Sequence, residues 1–378
     1  MNTSLSIYLD LIRLLAASLV VFGHSYNFTH GFFSTLAGHG SAAVAVFFVL
    51  SGFVIAFVTD VKEKNWRDYT ISRSARIYSV AFSALAITVL ADLIGYSINP
   101  TPYLGFTSPF GGFSDSYFQP NWTATDLVRM MTFTNEIWQS HIQVGSGEPY
   151  WSLGFEVWYY VIFGFFIFSP FKGAARWVPA LICCAVAGPK IVLYLPLWLM
   201  GVALYRWLTK TGRRFAEATP TALLWGGLMG SPVLYLLARH FMAPLTQSMF
   251  LPVSWDVKTV YTVVYFHLVG LIFSVHLACF YGLSQQYAVI ATVLTRFKRP
   301  IQWTAGATFT LYLVHQPLLL AILAANPLPK GEAAWAYSSV AAVFALVFVV
   351  AQFTERKKTF WRQVFATLLG GHTAARTT

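Results

Sequence analysis

The sequence predicts an all-α polytopic membrane protein, a transmembrane helix bundle of about ten spans with both termini in the cytoplasm. Three observations carry that prediction. Of 378 residues 57% are hydrophobic and only 10% are charged, against roughly 25% charged residues in a soluble domain. Apolar runs long enough to cross a hydrocarbon core about 30 Å thick recur along the whole chain. Lysine and arginine gather in alternate connections, the asymmetry that sets orientation in a bilayer.

The spans are expected near residues 6–27, 41–59, 76–98, 151–169, 177–195, 197–209, 220–238, 258–282, 304–324 and 335–354. The opening MNTSLSIYLD has neither the basic n-region nor the cleavage site of a secretory signal, so the first apolar stretch reads as a transmembrane helix. The sixth stretch is short for a crossing, and the break between it and the fifth is expected at Leu195-Pro196. Cys183, Cys184 and Cys279 lie in apolar segments without metal-ligand spacing, which fits packing. Residues 99–150 form a long outer loop rich in aromatics. Loops of that length are usually functional or disordered. No repeat and no soluble extension interrupts the pattern, so 1–378 reads as a single transmembrane domain.

With the N-terminus inside, inner connections hold Lys62, Lys64, Arg67, Arg73 and Arg76, then Lys172 and Arg176, then Arg206, Lys210, Arg213 and Arg214, then Arg296, Lys298 and Arg299. The tail adds Arg356, Lys357, Lys358, Arg362 and Arg376, whereas outer connections carry only Arg129, Arg239, Lys258 and Lys330. The net charge of +11 is thus accounted for by topology. A nucleic-acid footprint would instead cluster basic residues on a soluble face.

Ionisable residues within the hydrocarbon region mark cavities, pathways or reaction sites. Arg13 and His24 lie in one apolar stretch, LDLIRLLAASLVVFGHS. Eleven steps of roughly 100° return a helix to within about 20° of its starting face. One face of the first span therefore carries a cation toward the inner leaflet and an imidazole toward the outer one. Glu156, near the outer end of the fourth span, is expected at the depth of His24, where a carboxylate can fix the tautomer of an imidazole and stabilise its cation. Tyr159 and Tyr160, three and four residues further on, share its face as hydroxyl donors or packing groups.

At the inner end of the third span, Arg73 and Arg76 are three residues apart and can point at one anion, a phosphate above all; lipid head groups could equally satisfy them. His315 shares a face with Thr308 and Tyr312 and is a pore-lining candidate, with a structural interhelical contact as the alternative. His267 and His276 face opposite ways, which argues against a shared metal site, so no metal is expected. In the outer loop Trp122 and His141 stand among aromatic side chains that can stack on sugar faces or simply anchor at the interface.

Five stretches together resemble the membrane-integral acyltransferase family 3. They are LDLIRLLAASLVVFGHS with its Arg-x10-His spacing, AVAVFFVLSGFVIAF, the Arg-x-x-Arg of SRSARIYSV, YWSLGFEVWYYVIF and LYLVHQPLL. The resemblance covers the chain from Leu9 to about Phe353. It implies O-acyl transfer, most readily of acetyl, from cytoplasmic acyl-CoA to a hydroxyl of a cell-surface polysaccharide or lipid-linked sugar, by a multi-pass protein of the inner membrane. Carried over by position, it makes His24 the essential histidine, Arg13 its basic partner, Arg73 and Arg76 the holders of the 3′-phosphate of coenzyme A, and Glu156 the acid of the fourth span. Where many relatives have an acid before the paired phenylalanines of the second span, this chain reads Ala45-Val46. No hydrolase-like domain of the kind fused in many relatives is expected. The expected partners are acyl-CoA, a glycan or glycolipid acceptor and the bilayer, with self-association open and nucleic acid excluded. The alternative class is a proton-coupled transporter or exporter of an envelope metabolite, with Arg13, His24 and Glu156 as a relay.

Overall fold

A computed structural model of the chain describes residues 3–104, 118–254 and 256–370. Part of the outer loop, 105–117, and Arg376 of the tail lie outside the described residues. Among these residues every regular element is helical. In chain order they are α1 (Thr3–Phe28), α2 (Gly40–Lys62), α3 (Trp66–Ile98), α4 (Ala124–Met131), α5 (Trp151–Ile167), α6 (Val178–Ala187), α7 (Pro189–Ala218), α8 (Thr221–Met242), α9 (Val257–Gln286), α10 (Ala288–Arg296), α11 (Lys298–Ala305), α12 (Thr308–Ala325), α13 (Ala333–Phe353) and α14 (Lys358–Leu368). Nine helical segments among them are long and apolar enough to cross a membrane, and a shorter apolar one covers Gly173–Ala187. The protein is a multi-pass, all-α membrane protein.

The fifth and sixth expected spans need correcting. The chain breaks at Gly188, not at Leu195-Pro196, and α7 runs on through Pro196. Gly188 takes a φ of 85°, open to glycine and strained for other residues, and Pro189 then starts α7 at the position where a missing N–H costs nothing. Pro196 forfeits one backbone hydrogen bond inside a helix, a loss that neighbouring helices make tolerable in a membrane.

The residues fall into two compact units. One comprises Met1–Val20, Gly38–Lys62 and Gly188–Ala305. In it α2 packs on α7 and α9, and α8 packs on α9. Glycine sets the α2–α7 approach: a Cβ on Gly52 would run into the carbonyl oxygen of Trp198, and one on Gly201 into that of Val49. Small residues that let backbones meet are the usual device of membrane helix pairs, because lipid offers no hydrophobic drive between them. Lys190, sealed from solvent, donates to the Phe250 carbonyl at 3.1 Å. On α8, Leu223, Val233, Leu236 and Phe241 are left exposed, as a lipid-facing side requires.

The other unit comprises Val21–Ala37, Glu63–Ala187 and Gly306–Thr378. Here α3 packs on α12 and α14, α12 on α13, and α5 on α3 and α6. Asn65 caps α3 by accepting from the Asp68 N–H at 2.9 Å. Residues 118–150 fold back against α3 and α5. Tyr78, thirteenth residue of α3, donates to the Met131 carbonyl at 3.1 Å, and Trp158, eighth residue of α5, donates to that of Phe133 at 3.0 Å. Irregular backbone at such depth needs protein partners for its polar groups, and these two side chains supply them.

Candidate active site

The second unit gathers a line of polar side chains in an apolar surround. At one end His24, on the last turns of α1, meets His315 of α12: His24 Nδ1 and His315 Nε2 are 3.0 Å apart, with ring centroids at 5.0 Å. The other ring nitrogen of His315, Nδ1, faces the carbonyl oxygens of Tyr312 at 2.8 Å and Leu311 at 3.1 Å. His315 is fully buried, whereas His24 is only partly covered. Pro317, two residues beyond His315, lies inside α12 and removes one backbone N–H from its ladder.

Glu148 completes this end. It opens a 3₁₀ turn, Glu148–Tyr150, that leads into α5, and its carboxylate acts electrostatically on both His24 and Tyr312. Gln316 donates to it at a long 3.4 Å. The turn is tied down from α3. Asp92, buried, accepts from the N–H and the hydroxyl of Ser146, two residues before Glu148. One helical turn past Glu148, Ser152 shares a 2.7 Å hydrogen bond with the Tyr312 hydroxyl.

Glu156 stands deeper on α5. The Tyr160 hydroxyl donates to it, and its charge also reaches Tyr312. Tyr160 in turn lies under the guanidinium of Arg73, 5.8 Å from its ring centroid, while Tyr69 lies 5.4 Å from the same cation and donates to the Tyr160 carbonyl at 2.8 Å. Arg76 acts electrostatically on Tyr160. Arg73 is ion-paired with Glu63, the two side chains only 8% and 3% exposed. A pocket of about 520 Å³ opens between α3 and α5 beside them, walled by Arg73, Tyr69, Tyr160, Ile77, Phe133 and Phe165.

The structure therefore brings together some of the residues singled out in the sequence and separates others. His24, His315 and Tyr312 meet at one end of the line; Arg73, Arg76, Tyr160 and Glu156 gather at the other. The hydrogen-bond partner of the His24 imidazole is His315, and Glu148 acts on it electrostatically, while Glu156 bonds Tyr160. Glu156 lies two helical turns beyond Glu148. Arg13 belongs to the other unit and binds Asp10 at 3.1 Å, three residues earlier on its own helix. Tyr159 is buried in α5. His141 bonds Glu136 at 2.8 Å within the folded-back segment, and Trp122 lies against Gly145.

The sequence did not single out Asp92 and Glu63, and it marked Glu148 only as part of the outer loop. Asp92 sits in the third apolar span, where any carboxylate stands out. Glu148 carries the signal of an acid followed by proline at the head of a span. Glu63, in the run KEKNWR, looks like an ordinary solvated loop charge.

An all-α membrane bundle with an imidazole pair and a carboxylate beside it defines a class of membrane-embedded enzymes or proton carriers. The sequence comparison selects between them. A family model described as an acyltransferase domain, acyltransferase 3, matches residues 6–353, and the chain belongs to that family. Nodulation protein 10 of Rhizobium leguminosarum bv. viciae is 28% identical over 163 residues, which cover 40% of this chain and 41% of that protein. The chain thus spans about two fifths of the length of the curated relative it matches. No solved structure matches it.

Proposed function

We propose that this protein is an acyltransferase that takes its acyl group, most readily acetyl, from cytoplasmic acyl-CoA and delivers it to a hydroxyl of an envelope polysaccharide or lipid-linked sugar at the opposite face of the inner membrane. The observation that carries this is the polar line itself. It runs from the Arg73–Glu63 pair through Tyr160 and Glu156 to Tyr312 and then to His315, His24 and Glu148, joining a cationic end suited to a nucleotide phosphate with an imidazole suited to proton transfer.

In the proposed reaction the acceptor oxygen attacks the thioester carbonyl carbon while His24 takes its proton. The C–S bond then breaks, the ester stays on the acceptor, and the proton leaves with the thiol of coenzyme A. Glu148 offsets the charge that His24 gains. General base catalysis contributes about 10²- to 10⁴-fold, so positioning and oxyanion stabilisation supply the rest. The hydroxyls of Tyr312 and Ser152 are the nearest candidate donors. A transient acyl-His24 would use the same nitrogen.

Both termini lie in the cytoplasm only if the number of crossings is even, which requires the short Gly173–Ala187 segment to cross as well as the nine long ones.

The test uses purified protein in nanodiscs with acetyl-CoA, following release of free thiol and comparing envelope glycans from cells with and without the gene product. Thiol release that depends on acceptor, and that disappears in a folded His24→Ala variant, supports the proposal. Full turnover by that variant sinks it. Transport of a solute without acyl transfer would favour the exporter alternative.

A further inference from the structure

The hydrogen bonds around His315 decide which nitrogen of His24 does the chemistry. Nδ1 of His315 faces two backbone carbonyls, at 2.8 and 3.1 Å, and carbonyls only accept. That nitrogen therefore carries a proton. A second proton on Nε2 would make His315 a cation with no exposed surface, and among the described residues no carboxylate accepts from it. Burying such a charge without a partner is costly. His315 is accordingly neutral, with a lone pair on Nε2 directed at His24.

Across the 3.0 Å gap His24 Nδ1 must be the donor. A neutral imidazole carries one N–H, so the remaining nitrogen, Nε2, is left with its lone pair. We infer that His315 is a positioning residue that locks His24 in the Nδ1–H tautomer, which makes His24 Nε2 the base or nucleophile of acyl transfer. The inference rests on the acyltransfer reading for its consequence in turnover, though not for the tautomer. The burial of the pair matches the division of labour: the positioning imidazole is sealed, and the reacting one is the partly uncovered member.

The proton balance closes. When the acceptor O–H attacks the thioester, its proton moves to His24 Nε2 and His24 becomes a cation, still donating from Nδ1 to His315. The proton then passes from Nε2 to the departing sulfur, and the dyad returns to its starting tautomer. His315 gains and loses nothing, so it differs from a relay. An aspartate does the corresponding work in a serine hydrolase, where disturbing the tautomer costs orders of magnitude in turnover.

Two replacements separate an acceptor from a filler. His315→Leu keeps apolar volume and removes the acceptor; His315→Gln offers a side-chain carbonyl to His24 Nδ1–H. The expected result is a fall in kcat of about 10²- to 10³-fold in the leucine variant, with donor KM within about threefold because His315 is placed away from the nucleotide. Glutamine should recover at least tenfold of that loss. A readout independent of activity is nitrogen NMR of the full-length protein labelled with ¹⁵N-histidine, the His24 signals being identified by their loss in His24→Ala. Wild type should show His24 Nε2 unprotonated, and His315→Leu should move the proton to Nε2.

A leucine variant with wild-type kcat, a glutamine variant as inactive as leucine, or an unchanged tautomer in His315→Leu would each overturn the inference. A wild-type protein that shows the expected tautomer and transfers no acyl group would overturn the proposed function and leave the tautomer lock standing.

Discussion

Asp92 of α3 accepts from Ser146 twice, at 2.7 Å from the backbone N–H and at 2.5 Å from the hydroxyl. The carboxylate has no exposed surface. Ser146 is two residues from Glu148, so this pair of hydrogen bonds holds the turn that presents an acid to His24. Gly145 permits it, since a Cβ there would meet Asp92 Oδ2.

Asp92→Asn puts an amide where both oxygens now accept, so one Ser146 donor loses its partner. The expected cost is about 1 to 3 kcal/mol of stability, together with a drop in kcat as Glu148 loses its support. Thermal unfolding in detergent and steady-state turnover measure the two effects. Unchanged values for both would make the contact dispensable.

Glu148 and Glu156 should respond differently to neutralisation. Glu148 acts on His24, and Glu156 accepts from Tyr160. Glu148→Gln is expected to lower kcat by about tenfold or more with little change in donor affinity, as befits an interaction strengthened in the transition state. Glu156→Gln keeps an acceptor for Tyr160 and should cost less in kcat. Parallel kinetics of the two variants settle the order, and the reverse order would return Glu156 to the position beside His24 that the sequence suggested.

Arg73 and Arg76 call for different experiments. Arg73→Ala would take the ion-pair partner from the buried Glu63 carboxylate and is expected to destabilise the protein by about 3 to 5 kcal/mol. Glu63→Gln is more informative: with the competing anion gone, Arg73 should hold a phosphate better and donor affinity should rise. Arg76→Ala should lower that affinity by about ten- to a hundredfold, the loss of one charge-assisted contact of about 1.5 to 3 kcal/mol. Dephospho-coenzyme A, which lacks the 3′-phosphate, is the control. Wild type binding both donors alike would remove the arginines from that role.

Gly201 and Gly226 provide a pair for testing helix approach. Gly201→Ala drives a methyl into the Val49 carbonyl, whereas a Cβ on Gly226 meets nothing within 4 Å. The first should cost about 1 to 3 kcal/mol through forced separation of α2 and α7, and the second should leave unfolding nearly unchanged. Melting of both variants in one detergent gives the comparison.

Hydropathy and charge asymmetry determined the class of fold, because a bilayer demands long apolar helices whatever the chain does elsewhere. They also marked His24, Arg73, Arg76 and Glu156 as polar residues in costly places. Depth along one helix was legible for the same reason. Which residue on one helix meets which on another was not, since that depends on crossing angle and rotation about each axis. His315 beside His24, Glu63 against Arg73 and the Asp92 tie to Ser146 join residues between 10 and 291 positions apart in the chain. Local spacing carries no record of such pairings. The break at Gly188 lies between these cases: its glycine and proline were in plain view, but only the tertiary structure decided that Pro196 stays inside a continuous helix, because the neighbours that make its lost hydrogen bond tolerable come from elsewhere in the chain.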